Sequence, residues 1–97
     1  MMGYRTKYII VAYDIKKDYI RNDISDLLKY HGLKRFQYSV FVGNINEKYI
    51  SELENELEDY DLNEEDKIYI FTICKRCYDQ RIIIGKKPPG KQEHLII

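Results

Sequence analysis

Tyr8 to Tyr13 is apolar at almost every position, with β-branched Ile9, Ile10 and Val11 at its centre. Such a run predicts a central strand covered on both faces, and it ends on the carboxylate of Asp14. The period then changes. From Asp18 to His31, Ile20, Ile24, Leu27, Leu28 and His31 recur at helical spacing. Asp18 is placed to cap that helix, Gly32 to end it as its C′ residue, and His31 to meet the dipole at its C-terminus. The stretch LKRFQYSVFVG, Leu33 to Gly43, alternates along a strand. Phe36, Tyr38, Val40 and Val42 share one face, and Arg35, Gln37, Ser39 and Phe41 the other. Asn44-Ile45-Asn46-Glu47 has capping-box spacing ahead of a second helix, where Ile50, Leu53, Leu57 and Tyr60 form one stripe and the glutamates lie elsewhere. After a polar loop, Asp61–Asp66, KIYIFTIC (Lys67–Cys74) reads as a strand and Lys75–Asp79 as a short turn. Gln80–Gly85, with its RIII core, reads as a last strand. Pro88 and Pro89 prevent a simple extension of it, leaving a tail, 88–97, that closes on apolar Leu95-Ile96-Ile97.

The resulting order is β-α-β-α-β-β, or β-α-β-β-α-β-β if the middle strand breaks in two. Periodicity favours one strand, kinked near Ser39, because Gly32 to Asn46 leaves hardly any room for a hairpin loop. The natural home for this order is a ferredoxin-like β-α-β-β-α-β sandwich, as a single domain over 1–87. A chain of 97 residues buries only ~60–70% of its unfolded surface, so association between subunits would help it. No apolar run approaches the ~20 residues that span a bilayer, and MMGYRTK lacks the apolar core of a signal peptide. The expectation is a cytoplasmic protein with no membrane partner.

Net charge is zero, but its distribution is not even. Residues 1–46 balance to +4, residues 47–66 to −9 with Lys48 as their one basic residue, and residues 67–97 to +5. An acidic helix turned away from basic strands and loops gives a polarised molecule that can meet nucleic acid; a solvated acidic face with scattered lysines is the plainer alternative. Cys74 and Cys77 form a single CxxC. Zinc wants a second pair or two histidines, and His31 and His94 lie far apart. A redox pair belongs at a helix start, whereas this one follows a strand. The ten tyrosines invite a base-stacking platform, yet Tyr8, Tyr13, Tyr49, Tyr60 and Tyr69 fall where packing uses them and no RNP-type strand pattern is present.

Asp14 has two readings: a turn or cap residue, or a carboxylate delivered to a cleft at the sheet's end. No second acidic residue accompanies it on a matching strand end. One chain is therefore a poor metal site, while a twofold dimer facing two copies of Asp14 suits Mg²⁺, which accepts a few carboxylates with water and phosphate oxygens. The Arg35, Gln37 and Ser39 face has phosphate-binding chemistry, through a bidentate guanidinium with amide and hydroxyl groups beside it. Lys16 and Lys17 add charge next to a helix N-terminus already suited to anions.

YIIVAYDI, Arg21 on the first helix, KRFQYSVFVG and IYIFTIC–CYDQRIIIGKK together resemble the small CRISPR-associated nuclease of the adaptation step, partner of the CRISPR integrase. The likeness runs from about Tyr8 to Lys87 with elements in the same order. It implies a ferredoxin-like homodimer whose last strand crosses to the partner's sheet. It also implies a Mg²⁺ (or Mn²⁺) between two strand-end aspartates and phosphodiester hydrolysis of RNA or DNA, in spacer acquisition and antiviral defence. On that likeness Asp14 is the catalytic and metal residue, Arg21 and Arg35 bind phosphate, and Gln37, Ser39 and Phe41 belong to the second-strand motif, with Ser39 and Phe41 shaping the site. Ile20 stands where a first basic residue is often found, and Val42 where an acidic one is common. A non-catalytic DNA-holding adaptor for the integrase and a toxin-like ribonuclease of the same fold remain the alternatives. A small-ligand regulatory domain of this shape lacks a recognisable ligand loop.

Overall fold

The computed structural model describes residues 5–85; the expected tail and its Leu95-Ile96-Ile97 lie outside them. The elements are β1 (Thr6–Asp14), α1 (Asp18–Tyr30), β2 (Lys34–Gln37), β3 (Val40–Asn46), α2 (Lys48–Glu58), β4 (Lys67–Ile73) and α3 (Lys75–Asp79). The four strands form one antiparallel sheet in the order β2-β3-β1-β4, the ferredoxin-like arrangement.

Residues paired across an antiparallel ladder share a face, so the register sorts the sheet into two. Ile9, Val11 and Tyr13 point with Phe41, Gly43 and Ile45 towards the helices, where Ile20, Ile24, Leu28, Leu53 and Leu57 complete the core. The helical stripes read from the sequence are the ones buried. Gly43 lets Leu33 lie close: a Cβ there would stand 2.9 Å from Leu33 Cγ and 3.0 Å from its Cα. The opposite face carries Ile10 and Ala12 with Val40 and Val42 on one side and Tyr69 and Phe71 on the other. No helix longer than the one turn of α3 covers it among the described residues. Tyr69 and Phe71 are 49% and 54% exposed, their rings stacked at 6.1 Å. Both faces of β1 are apolar, as its composition predicted, but only one is filled by this chain.

Four local expectations need correction. The middle segment is two strands joined at Tyr38-Ser39, with a register shift between Arg35 and Gln37; two turn residues sufficed where a longer loop seemed necessary. Asp18 is the first helical residue, with Lys17 at the cap position. The capping box headed by Asn44 does not form, because β3 continues to Asn46, whose Oδ1 accepts from the Lys48 backbone N–H at 3.0 Å. Lys75–Asp79 is a helical turn, and Cys74 is its N-cap, its Sγ accepting from the Cys77 N–H at 3.4 Å. The CxxC therefore does stand at a helix start. Hydrogen bonding from Cys77 draws the Cys74 thiol below its ordinary pKa, and the partner thiol is raised.

The end of α1 forms as read. Gly32 has φ +91°, and the Gly32 and Leu33 N–H groups return to the carbonyls of Lys29 and Leu28 at 2.9 and 3.0 Å, a Schellman ending. His31 also ties the two helices together, its Nε2 lying 2.7 Å from Glu56 Oε1. Gln80–Gly85 does not pair as a strand within the chain. Ile82, Ile83 and Ile84 are 82%, 50% and 91% exposed.

Candidate nucleic-acid and metal site

β1 delivers Asp14 to the end of the open apolar face, one pleat beyond Ala12 and opposite Lys67 on β4. Its side chain is 74% exposed, with Lys16 Nζ 3.9 Å from Oδ1. The loop leaving β1 is held from two directions. Asp66 is buried, and its carboxylate accepts from the backbone N–H of Lys16 at 3.0 Å and of Asn63 at 2.9 Å. Arg21 Nη1 donates to the carbonyls of Ile15 and Lys16 at 2.7 and 3.0 Å, and Nη2 pairs with Asp18. Lys16 and Lys67 thus come to the rim around Asp14, exposed Lys17 follows next along the loop, and Ile15 stays in the core.

The remaining residues singled out in the sequence do not form one surface. Arg35 pairs with Phe41, but the shift after it sets Gln37 opposite Val40. Arg35 therefore turns to the helix side, where its Nη2 donates to the buried Ser25 Oγ at 2.8 Å and its guanidinium stands 5.1 Å from the Phe41 ring. Phe41 is fully buried and cannot touch nucleic acid; it packs 6.4 Å from Tyr13, whose hydroxyl pKa is raised by burial, with Arg35 opposing. Gln37 is exposed on the Asp14 face. Ser39 accepts the Tyr13 N–H through its carbonyl at 3.1 Å, fixing the turn beside β1. Arg21, with its guanidinium committed to the loop, is a positioning group more than a phosphate hand. The shared-face expectation for Arg35, Gln37, Ser39 and Phe41 fails because one extra residue flips every side chain beyond it.

Sequence reasoning missed Lys67 and Asp66. The first is visible only through register, the second only through its hydrogen bonds. Those bonds, from Asn63 first and Lys16 after burial's opposing effect, hold the Asp66 carboxyl below the ordinary range. A folded-state pKa below the unfolded ~3.9 means the contribution is present above that value and is lost as pH falls through the folded one. Asp66→Ala is accordingly expected to lower Tm by several degrees at pH 7. The deficit should start to shrink below about pH 4, where the group in the unfolded chain begins to protonate, and fade as the folded group protonates at still lower pH; thermal melts across pH 2–7 check it, and a deficit unchanged by acid would contradict the role.

Among the described residues no group of three or more His, Cys, Asp or Glu could hold a metal. Asp14 brings one carboxylate, and a hard divalent cation takes several oxygen ligands.

Comparison with known proteins bears directly on this arrangement. The family model for the CRISPR associated protein Cas2 matches residues 7–81. The chain is 41% identical over 85 residues to a CRISPR-associated endoribonuclease Cas2 of Pyrobaculum aerophilum, covering 88% of this chain and 93% of that one. It is 34% identical over 83 residues to a CRISPR-associated endonuclease Cas1/endonuclease Cas2 fusion of Thermoproteus tenax, covering 86% of this chain and 31% of the fusion. A crystal structure of a Cas2 protein superimposes with a TM-score of 0.70 at 28% identity, covering 91% of this chain and 98% of that one. No helix among the described residues is long and apolar enough to cross a membrane.

Proposed function

The chain belongs to the CRISPR-associated Cas2 family, and from that membership we propose a homodimeric nuclease of the CRISPR adaptation machinery that hydrolyses phosphodiester bonds, RNA foremost. The observation that carries the reading is the placement of Asp14: an exposed carboxylate at the end of the central strand, on an open apolar face, with Lys16 and Lys67 beside it. The curated relative's name, endoribonuclease, supports the reaction class, and the Cas1 fusion supports Cas1 as the partner. The family match favours this reading over a toxin-like ribonuclease.

A single Asp14 falls short of a metal site, and a second copy across a twofold supplies what is missing. Residues of both chains fit Mg²⁺ or Mn²⁺ on that basis: Asp14 from each would hold the ion. When bound, it supplies a polarised phosphate and a bound water of lowered pKa. The chain's own contribution is positional. Asp66 and Arg21 fix the β1–α1 loop, which sets where the Asp14 carboxylate stands. Lys16, Lys17 and Lys67 attract and seat the phosphate backbone, and Gln37 offers an amide on the same face. Phosphates carry no base identity, so such contacts place the strand without reading it.

The test is cleavage of single- and double-stranded RNA and DNA by the full chain with Mg²⁺, Mn²⁺ or chelator. Metal-dependent cutting of RNA is expected. Tight duplex DNA binding with no cutting under any metal would overturn the nuclease and leave the DNA-holding role. Binding has its own signature. Lys16→Ala and Lys67→Ala should each weaken affinity for all sequences alike and reduce the salt slope by about 1, as expected when one phosphate contact is lost. Filter binding across a salt series measures this, and a sequence-selective loss would count against it.

A further inference from the structure

Cys74 and Cys77 take no part in the nucleolytic reading. They lie at the opposite end of β1 from Asp14: Ile73, the residue before Cys74, pairs with Tyr8, whereas Asp14 pairs with Lys67 at the start of β4. Both thiols are exposed, and they are held against each other. Cys74 is the N-cap residue of the single turn α3, and its Sγ accepts from the Cys77 N–H at 3.4 Å. The Cys77 thiol hydrogen-bonds to the same sulfur. The turn itself is seated. Lys75 Nζ donates to Asp79 Oδ2 at 2.7 Å along it, and Tyr78 stacks on Tyr8 of β1 with ring centroids 4.1 Å apart. Folding therefore supplies the proximity that a disulfide, with its narrow geometry, requires.

The two thiols are unequal. Hydrogen bonds from the Cys77 N–H and then from the Cys77 thiol hold Cys74 below its ordinary pKa, and the hydrogen bond to Cys74 holds Cys77 above its own. We propose that Cys74 and Cys77 are a redox-active dithiol that reduces low-molecular-weight disulfides, Cys74 attacking and Cys77 resolving. The inference stands apart from the nuclease. In exchange the thiolate is the nucleophile. The Cys74 thiolate attacks one sulfur of the small disulfide, forms a mixed disulfide and expels a thiolate. Cys77, as it gives up its proton, attacks the Cys74 sulfur and expels the second thiolate. Two protein thiols are oxidised to one disulfide, one small disulfide is reduced to two thiols, and the two cysteine protons end on those products.

The test mixes the reduced full chain with oxidised glutathione at pH 7, quenches with acid, and follows each cysteine by mass spectrometry and peptide mapping. The wild type is expected to end with a Cys74–Cys77 bond within one chain and two glutathione thiols released per chain. Cys77→Ser should stop with glutathione attached to Cys74. Cys74→Ser, which keeps a favourable N-cap, should be modified at Cys77 several-fold more slowly. The native wild type should close its bond several-fold faster than the same chain in urea, because unfolding removes the hydrogen bonds to Cys74. Two thiols persisting in the native wild type, bonds between chains in place of the internal one, glutathione arriving first on Cys77, or closure no faster than in urea would each overturn the proposal.

Discussion

Ile82→Lys and Ile84→Lys together are expected to convert a dimer into monomer or aggregate at micromolar concentration. The two residues stand two apart, so in an extended segment they share one face, and both are almost wholly exposed in the single chain. Three consecutive isoleucines are a poor choice for solvent. β4 is one of the sheet's two edge strands, and among the described residues no strand pairs with its outer side, which is a template for a further strand. Burying an isoleucine stabilises by about 1.5–3 kcal/mol, and a twofold counts each side chain twice. The pair of substitutions thus removes roughly 6–12 kcal/mol from the dimer as an upper limit; about 8 kcal/mol already separates nanomolar from millimolar. A monomer leaves the open face bearing Tyr69 and Phe71 exposed, hence the risk of aggregation. Light scattering across a dilution series is the check. An unaltered dimer in the double variant would refute the exchange.

Asp14→Asn is expected to stay folded, dimeric and able to bind duplex, and to lose metal-dependent cleavage by about 100-fold or more. If Asp14 only turned the chain, Asn would serve nearly as well. Its ion pair to Lys16 is long and exposed, a class worth about 0–1 kcal/mol. Removing one negative charge per chain also relieves repulsion between facing carboxylates, so Tm should be no lower than wild type. The charge matters to a hard cation, which prefers ionised oxygen ligands. Normal cutting by the variant would remove Asp14 from the mechanism, and unfolding would make it structural.

How far the sequence leads can be seen element by element. β1, the two helical stripes and the Gly32 ending were legible because each depends on local periodicity or on one conformationally special residue. The β2–β3 hairpin was not: its alternation runs through Tyr38-Ser39 with no Gly or Asn to mark a turn. The extra residue near Phe36 then reverses the faces, and no local pattern announces it. Arg35 and Phe41 were taken for a surface when they belong to the helix side. Asp14 was legible as a strand-end carboxylate, since a charge abruptly closes an apolar run. Its surroundings were not. Lys67 comes to it only by register, and Asp66 hides among ten acidic residues between 47 and 66 because what distinguishes it is a pair of backbone hydrogen bonds, one from nearby Asn63 and one from Lys16 fifty residues away.

The central claim is that one metal site is made by two chains. The most direct measurement is Mn²⁺ binding to the purified full chain by calorimetry, with Asp14→Asn in parallel. The account predicts one ion per two chains in the wild type and loss of that binding in the variant. One ion per chain, or binding that survives Asp14→Asn, would contradict it.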